Sequence, residues 1–114
     1  MHVLDLDPTS NTSEFVVMIE YIDRESGLPM LLTGYSAAVE LRDRQGNRLL
    51  YGDNTTGHVP PLADDGMIIC VFPEDEMRRL EPGSYEIAAE ITTPLGVTSP
   101  LGYGVVEVRR GIGK

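Results

Sequence analysis

The sequence predicts an all-β chain folded as an antiparallel β-sandwich with one short helical turn. Three observations carry this expectation. About six short runs of period-two or continuous apolar patterning follow one another closely, and neither a strand-helix-strand alternation nor a long amphipathic helix interrupts them. A third observation is the run Leu80-Glu81-Pro82-Gly83-Ser84-Tyr85, which sets a tyrosine just after a tight turn at the head of a strand. The chain has 114 residues, one domain in length. Roughly two-thirds of the unfolded surface of a chain this size can be buried, so its core needs no covalent staples.

Residues 1–12 are polar, with Pro8 ahead of a Thr-Ser-Asn-Thr-Ser run, and predict a flexible N-terminal arm ahead of a sandwich over 13–110 and a tail over 111–114. Phe15-Val16-Val17-Met18-Ile19 is β-branched and aromatic and closes in Asp23-Arg24-Glu25-Ser26-Gly27, which reads as a strand and its turn. Across 36–43, Ala37, Val39 and Leu41 alternate with Ser36, Glu40 and Arg42, the pattern of a half-solvated strand. Gln45-Gly46-Asn47 supplies a turn, and residues 48–51 return as the second arm of a hairpin. Residues 52–66 hold Pro60-Pro61, Asp53-Asn54 and Asp65-Gly66 and are expected to be mostly loop.

Residues 67–72 are continuously apolar, which predicts a strand in the middle of a sheet. Over 73–80 the acids Glu74, Asp75 and Glu76 precede Arg78 and Arg79, the charge order a helix of about two turns prefers against its own dipole. Tyr85, Ile87, Ala89 and Ile91 alternate with Glu86, Ala88, Glu90 and Thr92 in the plainest strand of the chain. After Pro94-Leu95-Gly96, a last strand over 97–110 is interrupted by Pro100, Gly102 and Gly104, predicting a bulge or an edge position.

Lys plus Arg number 9 and Asp plus Glu 18, a formal net charge of −9. Such a field repels phosphate backbones, and the arginines form no dense basic patch, so nucleic acid is not an expected partner. No apolar run approaches the ~20 residues of a membrane-spanning helix. The opening Met-His-Val-Leu-Asp-Leu-Asp-Pro lacks the basic segment and apolar stretch of a signal peptide, which predicts a protein kept or assembled in a cytoplasm. Cys70 is the single cysteine and lies in the most apolar strand, where a thiol is ordinarily inert. His2 and His58 belong to no motif, and Asp64-Asp65 and Glu74-Asp75-Glu76 lack calcium-loop spacing. No catalytic constellation, metal site or cofactor is expected.

In immunoglobulin-like sandwiches a tyrosine placed as Tyr85 is, directly after Pro82-Gly83, bonds its hydroxyl to the upstream backbone and fixes the corner between the sheets. That motif stands in series with Phe15-Val16-Val17-Met18-Ile19, Gly27-Leu28-Pro29, Leu32-Thr33-Gly34-Tyr35-Ser36-Ala37, Val39-Glu40-Leu41-Arg42, Gly46 and Asp65-Gly66-Met67-Ile68. The series resembles a small immunoglobulin-like structural domain of tailed bacteriophages, similar to the N-terminal domain of phage baseplate upper proteins. Pro100, Gly102 and Gly104 depart from that family's smooth last strand. The resemblance implies a noncatalytic virion protein of tail, baseplate or head, assembled in the host cytoplasm. Its implied partners are other virion proteins, in a homo-oligomer or another symmetric assembly.

Contacts with neighbours are expected in the irregular segments 1–12 and 52–66, with Leu4, Leu6, His58, Val59, Pro60 and Pro61 as candidate interface residues. The alternative is a host-surface or carbohydrate recognition module, for which Tyr51 and Tyr103 are the stacking candidates.

Overall fold

The computed structural model describes residues 2–6 and 8–111. The chain is an immunoglobulin-like β-sandwich of β1 (His2–Asp5), β2 (Thr9–Ser10), β3 (Phe15–Glu20), β4 (Ser36–Arg42), β5 (Arg48–Asp53), β6 (Met67–Phe72), α1 (Glu74–Met77), β7 (Gly83–Thr92) and β8 (Thr98–Arg109). The wide sheet runs β1-β8-β7-β4-β5, with β2 also on β8, and the narrow sheet is the pair β3-β6. The hairpin β4-β5 turns where expected, at Gly46, whose φ of 86° suits glycine alone at low cost.

Period-two burial positions the core. Ala37, Val39 and Leu41 of β4, Tyr85, Ile87, Ala89 and Ile91 of β7, and Val106 and Val108 of β8 face Phe15, Val17 and Ile19 of β3 and Ile68, Cys70 and Phe72 of β6. Leu32, Val59, Leu62, Met77 and Leu80, all outside the strands, complete the same buried cluster.

Four expectations need correction. The arm over 1–12 is laid along the sheet: β1 and β2 pair in parallel with β8, His2 opposite Gly102 and Ser10 opposite Arg109. β6 is not central, because among the described residues it pairs with no strand but β3. Its continuous apolar run has another cause, one face in the core and an opposite face only half-buried. β8 is flanked on both sides from Gly102 onward, so only its first residues lie at an edge. Pro100, which cannot donate to a ladder, sits in that edge portion, and the register slips beside it between Ala89 and Glu90. The helix is one turn, Glu74–Met77, with Arg78 and Arg79 beyond its end.

Asn11 explains why the first segment is fixed. It is 3% exposed, its Nδ2 donates to the Leu80 carbonyl (3.0 Å), and its Oδ1 accepts from the Gly111 N–H (3.1 Å). Its own N–H donates to the Arg109 carbonyl. One side chain therefore ties the arm to the turn before β7 and to the end of β8.

On the opposite flank His58 closes the seam between the sheets. Its Nε2 lies 2.8 Å from a Glu76 oxygen, its Nδ1 lies 2.6 Å from Thr56 Oγ1, and its ring packs at 5.4 Å on Phe72. Gly52 makes room for it, since a Cβ there would fall 2.5 Å from the His58 Cβ and 3.2 Å from the Cys70 Sγ.

Asn11→Ala is expected to lower unfolding stability by about 2 kcal/mol in urea titrations, because it strands a buried carbonyl and an N–H. Gly52→Ala is expected to cost about 1–3 kcal/mol by the same measurement, since the packed side chains of His58 and Cys70 leave the methyl no space.

Candidate functional site

Cross-strand register builds one polar-aromatic row over the outer face of the wide sheet. Tyr51 of β5 stands opposite Glu40 of β4, Glu40 opposite Ala88 of β7, and Ala88 opposite Tyr103 of β8. Three strand spacings separate the tyrosines, about 14 Å between backbones. The neighbouring row is Asp53, Ala38, Glu90 and Pro100. Small alanines between longer side chains leave a concavity of about 530 Å³, and a second depression of about 410 Å³ lies on the far side of Tyr103.

The Tyr51 end already holds a cation. The Arg48 guanidinium lies 4.5 Å from the centre of the Tyr51 ring, and its Nη1 is 3.9 Å from Glu40, whose other oxygen accepts from Arg42 at 2.8 Å. The Tyr51 hydroxyl donates to Asp53 at 3.0 Å. Partial burial, then that hydrogen bond and the charges of Asp53 and Glu90, push the Tyr51 hydroxyl above its usual range. Asp53 is held below the usual carboxylate range, first by the Thr55 hydroxyl, then by the Thr56 N–H.

The Tyr103 end has the same groups, but its nearest arginine, Arg42, which stands opposite Glu86 and lines the same depression, is held by Glu40 and does not stack on the ring. Glu86 and Glu90 lie on its face of the sheet, two residues along β7 to either side of Ala88, within diagonal reach of the ring. Among the described residues neither glutamate side chain makes a hydrogen bond or ion pair, and no side chain stacks on Tyr103, which is half exposed.

The other residues singled out from sequence fall elsewhere. The Tyr85 hydroxyl donates to the Glu81 carbonyl across the Pro82-Gly83 turn, the geometry of an inter-sheet corner. Val59 is core rather than surface, Leu6 packs against the core, and His58 is engaged within the chain, while Pro60 and Pro61 are exposed. The side chain of Leu4 and the tail over 112–114 lie outside the described residues. Cys70 is fully buried, and burial, with the nearby charge of Glu76, pushes its thiol up to about 12. Among the described residues no group of three or more His, Cys, Asp or Glu could hold a metal ion, and no helix is long and apolar enough to cross a membrane.

Sequence reasoning placed Glu40 and Arg42 on the polar side of their strand and named Tyr51 and Tyr103, but it did not bring them together. Arg48, Glu86 and Glu90 were missed as site residues, although the outward phase of Glu86 and Glu90 was readable.

No protein-family model matches the sequence, and no curated protein matches it. Among solved structures the chain is similar to CopC from Methylosinus trichosporium OB3b, with a TM-score of 0.53 and 14% identity over 99% of this chain and 97% of that one. At this identity the likeness is one of fold, and it agrees with the sandwich. It also corrects the expectation of a bacteriophage virion protein of tail, baseplate or head: the chain-length likeness is to CopC, which is not a phage structural protein, and no comparison ties the chain to a virion. The host-surface and carbohydrate alternative falls with it.

Proposed function

We propose that this chain is a noncatalytic binding domain whose ligand surface is the outer face of the wide sheet, and that the group it recognises is an organic cation, a guanidinium or an alkylated ammonium. The observation that carries this reading is the Tyr103 ring between the unpaired carboxylates of Glu86 and Glu90. An aromatic face attracts a cation through its quadrupole, and flanking carboxylates add Coulomb attraction and hydrogen-bond acceptors. Arg48 on Tyr51 beside Glu40 is the same recognition made within the chain. The net charge of −9 steers a cation toward the face.

The nucleophile candidates support a binding role. Cys70 keeps its proton throughout the neutral range, and both ring nitrogens of His58 are occupied by Thr56 and Glu76.

Titration with agmatine, followed by amide chemical shifts along β7 and β8, is expected to give saturable changes centred on Tyr103, with a neutral amide of the same length giving none. Tyr103→Ala is expected to weaken binding about tenfold and Glu86→Gln with Glu90→Gln by a similar factor, at unchanged melting temperature. Absence of saturation, or binding indifferent to these substitutions, overturns the reading.

A further inference from the structure

The narrow sheet ends in an open strand. β3 pairs with β6 in unbroken antiparallel register from Phe15 opposite Phe72 to Glu20 opposite Met67, and among the described residues no strand lies on its other side. Every second residue of such a strand points its N–H and C=O away from the partner, so β3 carries a row of main-chain donors and acceptors along its free edge. The far edge of β6 differs: the Val71 N–H donates there to the His58 carbonyl at 2.9 Å.

β3 carries edge-guarding charges only at its two ends, Glu14 and Glu20. Between Phe15 and Ile19 it has no charge, no proline and no bulge. Its outward face carries Val16 and Met18, the latter 60% exposed, beside the half-buried Ile69 and Val71 opposite them.

We propose that this edge pairs with the β3 edge of a second copy of the chain, antiparallel about a two-fold axis, to form a continuous four-stranded sheet β6-β3-β3-β6. Residues opposite one another must share a sheet face, so the axis passes through a residue, Val17 or Met18. An axis at Val17 sets Glu14 opposite Glu20 of the second copy, a like-charge pair that opposes association. An axis at Met18 sets Met18 against itself, Val17 against Ile19 and Val16 against Glu20, and no acid faces an acid. The Met18 register is therefore the one selected.

A strand of this length offers about 20 Å of edge, short of the roughly 800 Å² per partner of a lasting complex. The dimer is accordingly weak, with a dissociation constant on the order of 0.1 mM. The charge of −9 on each copy opposes it, and salt relieves that repulsion.

Sedimentation velocity of the full chain from about 10 μM to about 1 mM is expected to show a monomer-dimer equilibrium that tightens with added sodium chloride. Met18→Lys is expected to weaken it at least tenfold at unchanged melting temperature, and Met18→Leu to preserve it. Mild oxidation of Met18→Cys is expected to give a disulfide-linked dimer. Val16→Cys gives none, because its two copies stand about 13 Å apart along the strand, beyond disulfide reach. The natural Cys70 is fully buried and supplies no background. A monomer at every concentration, growth beyond two copies, indifference to Met18→Lys, or equal cross-linking at both positions overturns the proposal.

Discussion

A two-stranded sheet cannot roof the inner face of a wider one, and the rest of this fold follows from how that shortfall is closed. β3 and β6 supply Phe15, Val17, Ile19, Ile68, Cys70 and Phe72, but the rows they meet on β4, β7 and β8 are broader. The missing cover comes from residues outside the strands, Leu32, Val59, Leu62, Met77 and Leu80, each in the buried cluster. Loops that carry core residues have to be held, because their backbones gain no ladder. Asn11 holds one flank and the His58–Glu76 link holds the other, the latter by tying the 54–66 segment to α1 across the sheet seam. The polar groups that look at first like candidates for chemistry are therefore absorbed in fastening the core.

The outer faces are left free and carry opposite characters. On the wide sheet, outward positions alternate acids, arginines, tyrosines and alanines, so charge and aromatic surface lie around a small-residue floor. On the narrow sheet the outward positions of β3 and β6 are apolar but for Glu20. Period-two geometry enforces the separation between inner and outer rows, while composition decides what each outer row can bind. A ligand-binding face and a self-pairing edge can coexist on this sandwich because they belong to different sheets.

Much of the fold was legible. β4 and β7 lie where their alternation put them, β3 and β6 where their apolar runs put them, the hairpin turns at Gly46, and the bulge falls beside Pro100. The errors have particular causes. The first segment was read as an arm because hydroxylated residues and Asn11 look solvated, yet Asn11 is buried with its polar atoms satisfied by backbone. β6 was read as central because continuous hydrophobicity marks strands covered on both faces, and half-burial of an outward face leaves a similar trace. Val59 is a candidate interface residue by sequence because the 52–66 segment is irregular, and only the narrowness of the sheet below it draws it inward.

The amino-acid order by itself determined which side of β4 and of β7 faces inward, because the cost of wetting apolar side chains acts on every second residue whatever the strand's neighbours are. It likewise determined the acidic field and the tyrosine at the sheet corner. Only the tertiary structure decided which strands lie side by side, and with them the row Tyr51, Glu40, Ala88 and Tyr103 and the unpartnered edge of β3. Register and adjacency are relations between segments far apart in the chain, chosen by the joint packing of all of them, and no single segment carries a local mark of that choice.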